Sequence, residues 1–366
     1  MCLSRCLILL CWALSALASA SPAPLPLAAV ERFVAEEMAR QKVPGVSLAI
    51  VQGGTVRLAR GFGLANVELE VPVGTKTVFQ SGSLGKQFTA VAVMLQVEAD
   101  RLSLDAPLTQ MFVDAPATWA GITPRHLLTH TSGIPDYTEG LIDMRRDYSE
   151  DDLLHKAFTL PLQFAPGAQW RYSNTGYLVL GAVVRRASGR FYGDVLAERV
   201  FAPLGMKSAR IISEEAIVPH RAAGYRLVNG ELRNQEWVAP QLNTTADGAL
   251  YLSLEDMLAW DRGLRAGAVL NEASWREVYA PVRLSDGTFY PYGFGWSVDK
   301  VGGAPRYFHS GSWQGFKTHY TRYLGPDISI IVLANLAEAE PARFVDGIAR
   351  LLDPALVAPG VAAAGA

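Results

Sequence analysis

The chain has 366 residues, of which 50% are hydrophobic and 19% are charged, so it is long enough to bury one large core or two modest ones. Its formal net charge is −2 and it contains no block of basic residues, which argues against a nucleic-acid partner. This composition is typical of a globular protein and excludes a disordered or fibrous one.

The first twenty residues are predicted to be a secretory signal. A short start carries one positive charge at Arg5, Cys6 to Ala18 is apolar except for Ser15, and Ala18-Ser19-Ala20 has the small-residue pattern of a cleavage site. The run is too short to span a bilayer comfortably. We therefore expect a periplasmic or secreted protein without stable membrane insertion, with an uncleaved anchor as the alternative.

Metal and thiol chemistry are not expected in the remaining chain. All three cysteines lie within the predicted signal, so residues 21–366 have no disulfide, thiolate metal site or cysteine nucleophile. His126 and His130 have the four-residue spacing of a zinc-binding pair in a helical patch, but Leu127 stands where a metalloprotease has glutamate and no third ligand is evident. We expect a packed or loop-bracing pair, with no metal and no cofactor.

Strand patterns occur near both ends of the chain and helical patterns fill the middle. Ordered elements are predicted before residue 101 and after residue 249: a helix over 27–41, a hairpin over 46–59, a helix from 83 to about 100, a helix over 253–264, strands over 293–298, 316–323 and 328–335, and a helix over 343–352. Between them, Pro and Gly separate helical patches that include 149–158 and 174–187, with a short hairpin around Asn229-Gly230.

This order predicts one sheet assembled from both ends of the chain. Residues 21–366 would form a single domain, with a sheet lobe of about 27–100 and 250–352 and a helical lobe of about 101–249. A cleft between two lobes is a usual place for a site.

A candidate nucleophile lies where an extended, glycine-punctuated segment runs into an apolar helix. Ser83 is placed at the helix start, among unpaired backbone N–H groups and the positive end of the helix dipole. Lys86 follows one helical turn later, on the same face. A lysine desolvated in a cleft can help to deprotonate a serine hydroxyl, although Ser-x-x-Lys alone is a weak signal.

Two further stretches carry groups suited to the same chemistry. Tyr172 and Asn174 lie two residues apart in a loop before a helix, and a nearby cation such as Lys86 could favour the phenolate of Tyr172. His309 and Gly311 would point to one side of an edge strand. Backbone N–H groups there could complete an oxyanion hole with that of Ser83.

The motifs of this chain resemble those of the penicillin-recognising serine hydrolases, in particular the group of class C β-lactamases, D-Ala-D-Ala carboxypeptidases, D-aminopeptidases and related esterases. The similar motifs span about residues 27–352 and appear in the family's order: Ser83-x-x-Lys86, His126-Leu127-Leu128-Thr129-His130-Thr131-Ser132-Gly133, Tyr172-Ser173-Asn174, Tyr292-Gly293-Phe294-Gly295-Trp296 and His309-Ser310-Gly311. The resemblance implies an α+β, β-lactamase/transpeptidase-like fold, with an antiparallel sheet flanked by helices and a mostly helical second region.

The resemblance also implies roles for individual residues. Ser83 would be the acylated nucleophile, Lys86 its activating partner, and Tyr172 the general base in acylation and the activator of water in deacylation. Asn174 would hold the substrate amide, and the backbone N–H groups of Ser83 and Ser312 would form the oxyanion hole.

The third motif departs from the β-lactamase pattern, in which a lysine helps to bind the carboxylate of the drug. Here His309, with Gly311, would meet substrate on the opposite wall, and a histidine is largely neutral at pH 7. We therefore expect a secreted hydrolase of amide or ester bonds in a small-molecule or peptidyl substrate, D-Ala-D-Ala carboxypeptidase-like or esterase-like. The alternatives are a β-lactamase and a non-catalytic cell-wall or penicillin-binding sensor.

Overall fold

A computed structural model describes residues 26–212 and 215–357. The predicted signal segment and its cysteines lie outside these residues. Within the described ranges, no helix is both long enough and apolar enough to cross a membrane.

The strands follow the chain from the first hairpin to the last apolar run. They are β1 (Gly45–Gln52), β2 (Thr55–Asn66), β3 (Val71–Pro72), β4 (Val78–Gln80), β5 (Tyr225–Val228), β6 (Glu231–Asn234), β7 (Tyr251–Ser253), β8 (Val282–Arg283), β9 (Phe289–Tyr290), β10 (Ser297–Val301), β11 (Ala304–Trp313), β12 (Phe316–Tyr323) and β13 (Ile328–Ala334).

The helices lie before, between and after these strands. They are α1 (Leu27–Gln41), α2 (Lys86–Glu98), α3 (Pro124–Leu128), α4 (Glu150–Thr159), α5 (Asn174–Ser188), α6 (Tyr192–Leu196), α7 (Ala202–Leu204), α8 (Leu254–Arg265), α9 (Glu272–Val278) and α10 (Pro341–Leu352).

One antiparallel sheet joins the two ends of the chain, as the sequence predicts. In the described residues it has seven strands in the order β10-β11-β12-β13-β1-β2-β3. The junction between the two ends is the pairing of β1 with β13, from Val46 opposite Ala334 to Gln52 opposite Ile328. Every residue of β13 is buried, because helices cover this part of the sheet on both faces.

Two helical layers enclose the sheet. On one face, α1 and α10 pack against each other and against the central strands through apolar residues such as Val30, Val34 and Phe344. On the other face lie α2 and α8, and α2 also packs against α5 of the helical region. Since α2 is buried from Lys86 to Gln96, it is covered on all sides and connects the sheet to the helical region.

Several local predictions agree with the structure. The first hairpin turns at Gly53 and Gly54, both with positive φ (56° and 72°), which glycine adopts without strain. Ser149 caps α4 in a capping box with Asp152. Asn229 and Gly230, also at positive φ (52° and 79°), join β5 to β6.

Two local predictions are wrong. The strand predicted to start at Gly293 begins only at Ser297, because Gly295 adopts a left-handed φ of 74° and packs closely against the carbonyl of Lys86. The predicted helical His126/His130 pair does not exist, because α3 ends at Leu128 and His130 has a φ of 57°.

Candidate active site

The nucleophile turn is the 3₁₀ turn Gly82–Gly85, which leads directly into α2. It holds Ser83 one turn before Lys86, and Lys86 Nζ lies 3.0 Å from Ser83 Oγ. The backbone of β11 contacts this turn at Gly311, where a Cβ atom would lie 1.9 Å from the carbonyl oxygen of Ser81. Only glycine permits this approach, so the third motif is held directly against the nucleophile.

Lys86 is fully buried and donates hydrogen bonds to three oxygens. Besides Ser83 Oγ, these are Asn174 Oδ1 at 2.7 Å and the backbone carbonyl of Asp247. Burial lowers the pKa of Lys86 to about 8, against the opposing charges of Asp247 and Asp136. A neutral amine can still donate to Asn174 and Asp247 while its lone pair accepts the Ser83 hydroxyl, so these contacts suit both protonation states.

Tyr172 lies beside this pair, on the loop before α5. Lys86 Nζ is 4.9 Å from the centre of the Tyr172 ring, and a hydrogen bond links the phenol to Ser83. Burial raises the pKa of Tyr172 well above its usual value, and the Ser83 hydrogen bond opposes this only in part. Burial thus opposes the phenolate that Lys86 could favour, and Tyr172 is a neutral phenol beside the nucleophile.

Asn174 is oriented by groups at both ends of its side chain. Its Oδ1 accepts from Lys86, and its Nδ2 donates to Asp136 Oδ2 at 2.9 Å. Asp136 also accepts from the backbone N–H of Asn174, and its other oxygen is held by Thr138. One N–H of the Asn174 amide is left for a substrate carbonyl.

Ser312 lies next to the nucleophile turn, because a Cβ atom at Gly82 would come within 2.3 Å of the Ser312 nitrogen. This contact brings the Ser312 backbone N–H close to that of Ser83, and both residues line the cavities described below. Two backbone N–H groups beside a nucleophile are the components of an oxyanion hole.

The open edge of β11 begins where its neighbour ends. β10 pairs with β11 only as far as Phe308, so residues 309–313 pair with β12 alone. The prediction of an edge strand is therefore confirmed for residues 309–313 of β11. It is wrong for residues 304–308, which pair with β10. His309 and Gly311 are buried on one side, as alternation predicts, and Ser310 and Ser312 are exposed on the other.

A chain of buried hydrogen bonds links the motifs around the site. The Ser173 N–H donates to His130 Nδ1 at 3.1 Å, which leaves the hydrogen of the neutral ring on Nε2, 3.2 Å from the Tyr292 hydroxyl. That hydroxyl is 2.9 Å from His309 Nε2, and His309 Nδ1 is 2.6 Å from the Ser310 carbonyl, which can only accept. From His130 through Tyr292 and His309 to the Ser310 carbonyl, each group thus donates a hydrogen bond to the next. We call this series of hydrogen bonds the histidine–tyrosine chain.

Both histidines of this chain are neutral. Burial, followed by the positive charge of Lys86, lowers the pKa of His309 to about 3 and that of His130 well below its usual value. The interpretation of His130 as a loop-bracing residue is confirmed by its contacts with Ser173 and Tyr292. His309 lines the larger cavity, but both ring nitrogens are engaged within the protein, so a substrate contact through them stays a prediction.

Two cavities meet at the nucleophile, and Ser83 and Ser312 line both of them. The larger cavity, of about 800 Å³, is also lined by Tyr172 and His309. The smaller cavity, of about 280 Å³, is also lined by Asn174 and Asp247 together with Tyr137, Met144, Leu242 and Trp313. An acyl group and its leaving group could therefore lie on opposite sides of Ser83.

His126 belongs to a different structure. It caps α3 together with Thr123 and does not reach His130, and within the described ranges no three His, Cys, Asp or Glu side chains are grouped to hold a metal ion.

Sequence reasoning missed the two carboxylates of the site and the hydrogen bonds of Tyr292 to the two histidines. His130 and Tyr292 lie in two of the stretches that resemble family motifs, and this resemblance is a signal for their importance. Asp136 and Asp247 belong to no such motif, and only the fold brings them to Lys86 and Asn174.

Known proteins are similar to this chain over most of its length. Penicillin-binding protein 4* of Bacillus subtilis (strain 168) is 31% identical over 305 residues, which cover 78% of this chain and 67% of that protein. A D-aminopeptidase of Gluconobacter oxydans (strain 621H) is 29% identical over 321 residues, 84% of this chain but only 59% of the aminopeptidase. The octameric penicillin-binding protein homologue from Pyrococcus abyssi superimposes with a TM-score of 0.78 and 29% identity, covering 89% of this chain and 77% of that one.

The family model described as Beta-lactamase matches residues 30–354, nearly the whole described chain. The sequence-based assignment to β-lactamase-related serine hydrolases, and the α+β fold that it implied, are thereby confirmed. The chain belongs to the Beta-lactamase family.

Proposed function

We propose that this protein hydrolyses small amides or esters through an acyl-enzyme formed on Ser83. The observation that carries the proposal is the contact between Ser83 Oγ and Lys86 Nζ at 3.0 Å, in surroundings that lower the pKa of this lysine to about 8. A buried amine that is partly neutral near physiological pH can activate a serine hydroxyl.

In acylation, the neutral amine of Lys86 accepts the hydroxyl proton of Ser83 while Oγ attacks the substrate carbonyl carbon. The carbonyl oxygen becomes an oxyanion, which the N–H groups of Ser83 and Ser312 stabilise. Collapse of this intermediate re-forms the carbonyl and breaks the bond to the leaving group. Tyr172, hydrogen-bonded to Ser83, donates its proton to the departing nitrogen or oxygen and regains one from Lys86.

In deacylation, a water molecule replaces the leaving group beside Tyr172. Its proton passes to Lys86 by way of Tyr172, its oxygen bonds to the acyl carbon, and Ser83 leaves with a proton returned from Lys86. The products are a carboxylic acid and the free enzyme. The role of Tyr172 is proton transfer between neighbouring groups, which does not require a stable phenolate.

The finer substrate candidates from the sequence are D-Ala-D-Ala carboxypeptidase-like and esterase-like activities. The relatives include a penicillin-binding protein and a D-aminopeptidase, which supports action on amide bonds. His309 is uncharged and offers no free ring nitrogen to a substrate carboxylate. We therefore rank neutral esters and amides above peptides with a terminal carboxylate, and rank β-lactams lower still.

We also propose that the protein acts in the periplasm or outside the cell. The support is the signal-like pattern of residues 1–20, which is independent of the site.

Turnover of a substrate panel by the unmodified protein and by Ser83→Ala tests the proposed activity. The panel contains p-nitrophenyl esters, amino-acid amides, a D-Ala-D-Ala peptide and a cephalosporin. We expect hydrolysis of esters or amides that Ser83→Ala abolishes while the fold is retained. Near wild-type hydrolysis by Ser83→Ala would refute the nucleophile, and stable acylation by a penicillin probe without turnover of any substrate would favour a sensor.

A further inference from the structure

The proton donor decides which of the two cavities beside Ser83 receives the leaving group. Tyr172 lines the larger cavity but not the smaller one. Because a departing oxygen or nitrogen needs a proton from Tyr172, the leaving group belongs in the larger cavity and the acyl group in the smaller one. This assignment rests on the proposed function.

The larger cavity has a wall of aromatic rings that begins at the proton donor. Two short segments supply four rings: Trp170 and Tyr172 from the loop before α5, and Tyr290 and Tyr292 from the end of β9 and the turn after it. We call these four side chains the aromatic wall. Trp170 is its central member, because its ring contacts the rings of the other three.

Trp170 and Tyr290 form the closely stacked part of this wall. Their ring centres are 4.0 Å apart and their planes differ by only 12°. Both residues are half-buried and line the cavity, so the stack lies at the surface of the cavity and not in the core. Tyr290 thereby holds the Trp170 ring in place, and a fixed indole ring at a cavity surface attracts a further ring by offset or edge-to-face contact.

The position of this wall suits a ring attached close to the bond that is cleaved. The ring centre of Tyr172 is 6.4 Å from that of Trp170, so Trp170 lies next to the proton donor. The departing atom must lie within hydrogen-bond distance of the Tyr172 hydroxyl when it takes its proton. A ring carried on that atom, directly or through one methylene group, can therefore reach the aromatic wall.

The charged side chains of the larger cavity do not favour an ionic group at this position. The two acids that line it are each paired with an arginine, Asp299 with Arg306 and Glu340 with Arg343. Lys317 also lines the cavity and pairs in register with Ser312. Alternation places Ser312 on the face of β11 opposite to His309, whereas His309 is the residue whose ring contacts Tyr172. The part of the cavity beside Tyr172 thus suits an uncharged ring.

We infer that the larger cavity selects an aromatic leaving group, which binds against the Trp170 ring that Tyr290 supports. The substrate class is esters or amides of aromatic alcohols or amines, in which the ring lies on the departing atom or one carbon away from it. Hydrolysis adds water across the ester or amide bond, so the products are a carboxylic acid and the free aromatic alcohol or amine.

Four esters test this inference in the unmodified protein. Two carry the ring on the leaving group, benzyl acetate and cyclohexylmethyl acetate, and two carry it on the acyl group, methyl phenylacetate and methyl cyclohexylacetate. We expect kcat/KM for benzyl acetate to exceed that for cyclohexylmethyl acetate about three- to tenfold, the range of an aromatic pair beyond its buried area. Because cyclohexyl is the larger and more apolar ring, burial alone would give the reverse order, which would overturn the inference.

The change of this preference on substitution is decisive, because the intrinsic reactivity of each ester is the same with every variant. Trp170→Leu should abolish the benzyl preference and leave the ratio of the two methyl esters unchanged. Trp237→Leu is the matched control, since Trp237 is 55% exposed and lines neither cavity, and it should retain the preference. If Trp170→Leu kept the benzyl preference, or changed only the ratio of the methyl esters, the inference would be wrong.

Inhibition of the unmodified protein decides the matter even if Trp170→Leu does not fold. Benzyl alcohol should inhibit hydrolysis of p-nitrophenyl acetate with a Ki about three- to tenfold below that of cyclohexylmethanol, and equal Ki values would overturn the inference. A fluorophosphonate probe separates this outcome from failure of the proposed function. Labelling of Ser83 without any preference for the aromatic ring contradicts only the present inference, whereas no labelling contradicts the proposed function itself.

Discussion

At the scale of single residues, the chemistry depends on a lysine whose charge is destabilised by burial. Because burial lowers the pKa of Lys86 to about 8, only a minority of molecules contain the neutral amine at pH 7. A histidine base would behave differently, and both His130 and His309 have pKa values below their usual range and stay neutral. The pH dependence of acylation therefore distinguishes the two mechanisms.

We expect the acylation rate to rise with pH and to level off above about 8, where Lys86 has lost its proton. Below that value, the rate should fall about tenfold for each pH unit, in proportion to the neutral amine. Single-turnover acylation by a p-nitrophenyl ester without titratable groups measures this profile. A rate that stays constant from pH 8 down to pH 6, as expected for a histidine base whose pKa is lowered to about 3, would contradict Lys86 as the base.

The histidine–tyrosine chain is tested by Tyr292→Phe, which removes one hydroxyl and keeps the ring. His309 Nε2 then loses the hydrogen bond that orients its ring, and His130 Nε2 loses an acceptor. We expect kcat to fall about tenfold or more with a smaller change in KM, and the free energy of unfolding to fall by about 1–3 kcal/mol.

Tyr290→Phe is the control for this change. Tyr290 lines the larger cavity, as Tyr292 does, and its ring stacks on Trp170. It should leave kcat nearly unchanged. Loss of stability in Tyr292→Phe without any loss of kcat would show that the histidine–tyrosine chain has only a structural role.

At the scale of elements, the site depends on how closely β11 approaches the nucleophile turn. Gly311→Ala would place a Cβ atom 1.9 Å from the Ser81 carbonyl oxygen, so β11 must move away and take the Ser312 N–H with it. We expect acylation to slow about 100-fold, the effect of losing one oxyanion-hole donor. Gly74→Ala is the control, because a Cβ atom there meets nothing within 4 Å.

Single-turnover acylation and thermal unfolding should be measured together for these two variants. If Gly311→Ala acylated at the rate of Gly74→Ala, the close contact of β11 would have no role in catalysis.

The elements of this protein could be predicted where local signals agree. Alternation and the Gly53-Gly54 turn predict the first hairpin, and the continuous apolar run of β13 predicts a strand covered on both faces. The start of β10 could not be predicted, because residues before it follow a turn imposed by the contact of Gly295 with Lys86. The four-residue spacing from His126 wrongly predicts His130 on a helix, because its position depends on contacts with Ser173 and Tyr292.

The site was predictable only in the residues that lie in sequence motifs. Ser83 and Lys86 are one turn apart, so their contact follows from helix geometry. The backbone carbonyl of Asp247 contacts Lys86 across 161 residues of the sequence, and nothing in the local sequence around Asp247 indicates this contact. Burial also decides the protonation of Tyr172, which the residue types alone could not show.

At the scale of the whole molecule, the C-terminal helix supports the sheet that joins both ends of the chain. Phe344 of α10 is fully buried in the core shared with α1, β1 and β13. We expect Phe344→Ala to lower the free energy of unfolding by about 3–5 kcal/mol, the usual cost of such a cavity. Leu351→Ala on the same helix, where the side chain is 39% exposed, should cost much less.

Chemical denaturation followed by tryptophan fluorescence and by residual activity checks this prediction. In Phe344→Ala, tryptophan fluorescence and activity should be lost in the same transition, because the central strands support the active site. Activity retained after the fluorescence transition would show that the site is independent of this core.

The intact mass of the protein during turnover tests the central claim most directly. A slowly hydrolysed activated ester should add the mass of its acyl group to the unmodified protein, and peptide mapping should place that group on Ser83. Ser83→Ala should gain no mass. Lys86→Ala should gain the mass of the acyl group at least about 100-fold more slowly than the unmodified protein. An acyl group mapped to another residue, or turnover without any covalent intermediate, would contradict the account.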